Sequence, residues 1–193
     1  ASEGKAHSAV QVVADTAASN YTTLPAAGSY AVDPSSAYVH LVANETIHGV
    51  EFPDAIDTGD VPLVADFSSS ILSRPIDVTK YGVIYAGAQK NIGPSGLVVM
   101  VIRKDLLERP GQPRAKILSY KEHAAQGSML NTPPTFSWYL AGLVFEWMLA
   151  QGGLATFEAN NRRKAEALYA AIDGSGGFYR NPVAVDARSL MNV

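Results

Sequence analysis

The sequence has 193 residues, 47% of them hydrophobic and 17% charged, a balance that argues for a buried globular body and against disorder. A net charge of −3, from 15 basic and 18 acidic residues, leaves no electrostatic footprint for nucleic acid, and no apolar run reaches the ~20 residues that span a bilayer. There is no cysteine, which excludes disulfides, thiolate metal sites and a cysteine nucleophile within these residues.

The Val-rich run "SAVQVVAD", Ser8 to Asp15, predicts a first strand. A Gly/Pro/Ser connection follows. "AYVHLVANE" (Ala37 to Glu45), "VPLVADFSS" (Val61 to Ser69), "YGVIYAGAQK" (Tyr81 to Lys90) and "GLVVMVIRKD" (Gly96 to Asp105) are near-continuous apolar runs. Strands buried on both faces read this way. Between Ser69 and Tyr81 the chain is too short and too broken by proline for a crossover helix, so bends and one helical turn are expected. From Thr135 the spacing of apolar residues turns helical. "TFSWYLAGLVFEWMLAQGG" stops on Gly152 and Gly153, a good helix end. A second helix from Leu154 is more polar and should expose its charged face. The last stretch, "GFYRNPVAVDARSLMNV", reads as a connection entering a new strand. The sequence opens without methionine and closes inside an apolar run, so a piece of a longer polypeptide is expected. Trp138 and Trp147 are expected in a core or an interface.

Apolar strands followed by helices predict an α/β architecture with a mainly parallel sheet and helices on both faces. In such sheets ligands sit beyond the carboxyl ends of the strands. Two strands place a charge at that end: Asp66, and 24 residues later Lys90. A lysine there is usually a solvated charge, and a lone aspartate usually a turn or cap residue. The two side by side are also what pyridoxal phosphate needs. An amine forms the Schiff base and shuttles the substrate proton, and a carboxylate keeps the pyridine ring cationic.

"VADFSSSILSRPIDVTKYGVIYAGAQKNIGPSGLVVMVIRKDLL" resembles the central segment of the phosphoserine aminotransferase family, within the class V pyridoxal-phosphate-dependent aminotransferases. "NETIHGVEF" and "GSMLNTPPTFSWYLAGLVFEW" resemble two further segments in the expected order, and the likeness runs to the last residues. The resemblance implies the large domain of a fold-type I transferase over residues 1–172, truncated at both ends. Residues 173–193 would then lead into a small C-terminal domain. It implies pyridoxal 5′-phosphate as cofactor, Lys90 as the covalent lysine and Asp66 as the ring partner. Thr46 matches a hydroxyl on the cofactor 3′-oxygen, and Gln89 a side chain on its phosphate. Asn131 and Thr132 match residues that reach the phosphate in the neighbouring subunit, which makes a homodimer necessary for a complete site. Amide and hydroxyl donors suit a phosphate dianion and add no competing amine. Read without the resemblance, Gln89 is a solvated side chain and the Asn-Thr before two prolines a turn.

The activity so implied is amino transfer between phosphoserine with 2-oxoglutarate and 3-phosphohydroxypyruvate with glutamate. It belongs to serine biosynthesis in the cytoplasm, with a pyridoxine-pathway substrate in some bacterial relatives. Another class V aminotransferase acting on glyoxylate is the enzymatic alternative, and a catalytically silent fragment the other. The family's Gly-rich phosphate loop and ring-stacking aromatic lie upstream of these residues, and part of its substrate clamp downstream. These 193 residues alone are therefore expected to be silent. His48 is expected at the surface and Arg74 in a structural role.

Overall fold

A four-stranded sheet organises the chain in the computed structural model, which describes residues 3–109 and 115–193. In chain order, β1 is Val39–Val42, β2 Asn44–Glu45, β3 Val50–Glu51, β4 Leu63–Asp66, β5 Val83–Gly87 and β6 Val98–Ile102. The sheet order is β1-β4-β5-β6, with β2 and β3 forming a separate antiparallel hairpin. β1 pairs parallel with β4, and β4 parallel with β5, while β6 returns antiparallel along β5. The expected mainly parallel sheet is thus present, closed on one side by an antiparallel edge strand. The link from β4 to β5 is a series of turns ending in one 3-10 turn, Val78–Lys80, as its length and proline predict.

The strands alternate in burial. Val39, Leu41, Leu63, Ala65, Ile84 and Ala86 point into the core, which also holds Phe67, Tyr81, Ile92 and Ala141. His40, Val42, Val64, Val83, Tyr85, Val98 and Met100 take the opposite face. Burial on both faces, as the unbroken apolar runs predict, is therefore not what these residues show. On the second face the side chains floor an open groove of about 570 Å³.

Among the described residues four α-helices follow: α1 Lys104–Leu107, α2 Tyr120–Ala125, α3 Thr135–Ala150 and α4 Gly153–Asp173. α3 meets the core through Ala141, while Leu106 of α1 and Tyr120 of α2 wall the groove on the other face. α3 and α4 bend by 84° at a break where Gly152 and Gly153 hold φ of 100° and 72°. α3 is apolar all round yet buries only Ala141 and Met148. Trp138 and Trp147 are 40% and 54% exposed, so neither lies in a core of these residues. Trp147 packs instead edge-on against Phe157 of α4. On α4, Asn161, Ala165 and Tyr169 form a buried stripe at four-residue spacing, and the charged face looks outward as expected.

Two predicted strands are absent. Ser8–Asp15 forms no strand and has no ladder partner among the described residues. Valine content favours the strand conformation, but only a neighbour supplies the hydrogen bonds that make it one. The final segment forms a 3-10 turn, Val185–Ala187, and a single bridge from Arg188 to Val50. It folds back on the chain's own body: Arg188 makes two bonds to Asp173, at 2.6 and 2.8 Å, and Tyr169 donates to the Ser189 carbonyl at 2.8 Å.

Candidate active site

Asp66 is the last residue of β4, in register with Val42 on β1 and Tyr85 on β5. Its Oδ1 accepts the Ser68 N–H at 2.8 Å, a local turn bond that aims the carboxylate along the strand exit. The Ser68 hydroxyl in turn accepts the Gly87 N–H at 3.0 Å, so one serine ties the ends of β4 and β5 together.

Lys90 lies three residues past Gly87, on the turn that leaves β5. It is exposed, as is Gln89, but Ala88 and Ile92, two residues to either side, are almost fully buried. The turn is pinned by Gly93 N–H to the Ala88 carbonyl, 2.8 Å, and by the Asn91 amide to the Ile71 carbonyl, 2.8 Å. The small residues before the lysine thus pack the strand end into the core while its amine stays in water, where an ammonium is inexpensive. Gln89 folds back over Gly87: a Cβ added to that glycine would lie 2.5 Å from Gln89 Oε1, the mobile end of an exposed side chain that would have to swing aside.

Thr46 sits on the turn of the β2–β3 hairpin. Glu45 shapes that turn by accepting the Ile47 and His48 N–H groups at 3.2 and 2.6 Å and His48 Nδ1 at 2.9 Å. Burial alone would raise the Glu45 pKa. The bonds from His48 and Ile47 together outweigh it and hold the carboxyl below its ordinary value. His48 is on the surface, as expected. The hairpin is fixed from below, where buried Asn44 donates to Ser69 Oγ at 2.8 Å and to Asn192 Oδ1 at 2.6 Å. It is fixed from the side by Ser189 N–H to the Gly49 carbonyl, 2.9 Å, and by Leu190 N–H to Glu51, 2.9 Å. Arg74 pairs with Glu51 at 3.3 Å and donates to the Phe52 carbonyl at 3.0 Å. Its role here is structural.

The result is that Lys90 Nζ donates to Thr46 Oγ1 at 3.1 Å. Thr46, Asp66, Gln89 and Lys90 all lie at the carboxyl edge of the parallel strands, where ligands bind in such sheets. Neither Lys90 nor Asp66 takes part in a salt bridge among the described residues. Asn131 and Thr132 stand apart. They are exposed in the loop between α2 and α3, with no side-chain hydrogen bond to this group among the described residues.

Sequence reasoning missed Ser68, Asn44 and Ser69, which hold the site from behind. It also missed the pair His40 and Tyr85, joined at 2.9 Å between His40 Nε2 and the tyrosine hydroxyl. Ser68 carries a readable signal, an Asp two residues before it at a strand end. The others depend on strand register, which spacing along the chain does not encode.

The profile of the family described as aminotransferase class-V matches residues 5–193. A phosphoserine aminotransferase of Stenotrophomonas maltophilia (strain R551-3) is 65% identical over 184 residues, covering 95% of this chain and 51% of that protein. The phosphoserine aminotransferase structure from Bacillus circulans subsp. alkalophilus superposes with a TM-score of 0.94 at 45% identity, over 98% of this chain and 52% of that one. A phosphoserine aminotransferase from Trichomonas vaginalis, solved with pyridoxal phosphate bound, has a TM-score of 0.83 at 41% identity, over 89% and 47%. The chain spans about half the length of the curated relatives it matches. With a match that runs through nearly every residue, the chain belongs to the class V aminotransferase family.

Proposed function

We propose that this chain carries the covalent lysine and ring partner of a phosphoserine aminotransferase working through pyridoxal phosphate. One observation carries the reading. An amine and a carboxylate stand at the same sheet edge, neither engaged in an ion pair among the described residues, in a chain 65% identical to such an enzyme over 184 residues. The donor set fits the cofactor. Lys90 rests on a neutral hydroxyl and not on a carboxylate, so its amine is free to be drawn away. Asp66 has a backbone N–H on Oδ1 and no cation among the described residues, so it is available to a protonated nitrogen.

Bound pyridoxal phosphate supplies an aldehyde for amine condensation and a cationic ring that accepts carbanion electrons. Lys90 would hold it through Nζ and, once released by the substrate amine, take the proton from the substrate α-carbon. Asp66 would hold the proton on the ring nitrogen. An opposite charge in contact favours both charged forms. Thr46 Oγ1 would bond the 3′-oxygen. Gln89 would bond the phosphate, as would Asn131 and Thr132 from a second subunit, and their outward position in this chain suits a contact made across a homodimer. The substrates are phosphoserine and 2-oxoglutarate, with glutamate and 3-phosphohydroxypyruvate as products, in the cytoplasm and in serine biosynthesis. A phosphorylated pyridoxine precursor is a second substrate in this reading. Residues 1–172 belong to the large domain, and residues 173–193 lead toward the small one.

The test is chemical. The full-length protein, loaded with pyridoxal phosphate, is reduced with borohydride and digested. The pyridoxyl label is expected on the peptide with Lys90, and a label on Lys80 or Lys104 would overturn the assignment. Glutamate formation from phosphoserine and 2-oxoglutarate checks the substrates.

A further inference from the structure

The hairpin that carries Thr46 has two residues in each strand and no place in the four-stranded sheet. A hairpin that short does not hold its own position in water. Contacts from outside must therefore set where its turn meets Lys90. One group comes from the end of β4: Ala43 N–H bonds the Asp66 carbonyl at 2.9 Å, and Ser69 Oγ donates to the Asn44 carbonyl at 2.8 Å. The other comes from residues 188–192, remote in sequence. Arg188 bridges Val50, Ser189 N–H bonds the Gly49 carbonyl, and Leu190 N–H bonds Glu51.

Asn192 is the member of this second group that reaches β2. Ser69 spends its one hydroxyl proton on the Asn44 carbonyl, so its oxygen accepts from the Asn44 amide. That orients the amide, whose second hydrogen goes to Asn192 Oδ1 at 2.6 Å. The Asn192 main chain meets the other arm of the hairpin: a Cβ on Gly49 would lie 2.7 Å from the Asn192 carbonyl oxygen. Asn192 thus touches both arms below the turn. It is aimed in its turn by Ser189, which is fully buried. The Ser189 hydroxyl accepts the Met191 and Asn192 N–H groups, each at 3.0 Å, and its carbonyl accepts the Tyr169 hydroxyl of α4.

We infer that Asn192 is a positioning residue: it holds Asn44, and with it the turn that presents the Thr46 hydroxyl to Lys90. The inference rests on the reading of Lys90 and Thr46 as cofactor-binding residues. Asn44 is 1% exposed, so an amide hydrogen deprived of Asn192 finds no water in its place. A buried donor without a partner is costly, and the hairpin relieves it by opening. Thr46 lies two residues on and moves with it, which breaks the 3.1 Å contact with Lys90 Nζ. The Asn192 amide nitrogen makes no hydrogen bond among the described residues. Only the acceptor oxygen of this side chain is used, and an aspartate can supply it.

The experiment has an unloaded and a loaded arm, both on the full-length protein. In the unloaded protein, NMR follows amide hydrogen exchange at Gly49 and Phe52, which bond the Glu45 and Ala43 carbonyls within the hairpin. Asn192→Leu should speed both by about tenfold, the equivalent of one hydrogen bond. Asn192→Ala, which removes the same oxygen without adding bulk, is read in parallel and should do the same. Phe67 and Gly82, which bond the Tyr85 and Leu63 carbonyls in the main sheet, should keep their wild-type rates. Asn192→Asp, which still accepts from Asn44, should stay within about threefold of wild type. The second arm reads the pH midpoint of the visible absorbance of the protein loaded with pyridoxal phosphate. Thr46→Val should move that midpoint by about one unit, the scale of one hydrogen bond to a charged group. Asn192→Leu should move it in the same direction, and Asn192→Asp should retain most of the wild-type value. The double variant Asn192→Leu/Thr46→Val should shift no further than Thr46→Val alone, as members of one chain of bonds do. Unchanged exchange at Gly49 and Phe52, equal acceleration at Phe67 and Gly82, equal effects of the Leu and Asp variants, or additive shifts would each overturn the role. If no cofactor attaches at Lys90 while exchange in the hairpin responds as expected, the functional reading fails and takes the positioning role with it, but the clamp on the hairpin stands.

Discussion

Arg74 and Glu51 give the sharpest test of how the site is held. Glu51 is 6% exposed on β3, in the hairpin that carries Thr46, and accepts from Arg74 at 3.3 Å and from Leu190 N–H at 2.9 Å. Arg74→Met leaves a buried carboxylate with one backbone donor and no cation. Breaking a buried pair from one side costs about 3–5 kcal/mol. The Leu190 N–H remains, and the Arg74 side chain keeps 15% of its exposure, so the low end applies, about 3 kcal/mol. With a urea m-value of about 2 kcal/mol/M, the unfolding midpoint should fall by about 1.5 M. Urea titration of the full-length protein, followed by circular dichroism, measures it. The double variant Glu51→Leu/Arg74→Met should recover much of the loss, since it removes the charge as well as its partner. A single variant within about 0.5 kcal/mol of wild type would refute the reasoning, because the pair would then behave as an exposed one.

Three further outcomes are expected. Asp66→Asn in the loaded full-length protein should retain cofactor attachment at Lys90, seen by absorbance, yet lose turnover by orders of magnitude, because the ring no longer holds its proton; near-normal turnover would contradict the role. Gly49→Ala should destabilise by more than about 1 kcal/mol, since Gly49 has φ of 73° and an added Cβ would lie 2.7 Å from the Asn192 carbonyl oxygen; an unchanged thermal midpoint would sink that account. The pH dependence concerns Glu45, whose carboxyl is held below its ordinary value of 4.5. A depressed carboxyl adds stability that is complete above the unfolded pKa and is lost as pH falls through the folded one. Glu45→Gln should therefore flatten the loss of thermal stability below about pH 4.5, and an identical acid limb in the variant would show that the turn bonds contribute nothing.

The four central strands were legible because each is an apolar run bounded by turn residues, and each predicted run contains an observed strand. Lys90 was legible for a related reason: a charge among alanines and glycines is a departure from the run that carries it. Its exposure was not legible, because a run of small residues does not say on which side of a strand exit the turn will leave. Ser8–Asp15 failed because propensity names a conformation and not a partner. The two tryptophans failed because an apolar helix reads as buried whether or not a neighbour covers it, and α3 is covered only at Ala141 and Met148. His40 and Tyr85 are 45 residues apart and meet only because β4 lies between their strands.

The charges around the site are sorted in a way that bears on its chemistry. His48 is engaged by Glu45, and Arg74 by Glu51, both within or against the hairpin that carries Thr46. Had Glu45 turned toward Lys90, the amine would sit in a salt bridge that raises its proton affinity and opposes its use as a nucleophile. Instead the Glu45 carboxylate is saturated by two N–H groups and an imidazole, and the hydroxyl of the next residue meets the lysine. The same turn is held by Asn44, whose partner Asn192 is 148 residues away. The two bonds that Asn44 donates, to Ser69 and Asn192, fix the two-residue strand and order the turn beyond it. That turn presents a neutral oxygen to Lys90, while Asp66 ends β4 with the Ser68 N–H on its Oδ1.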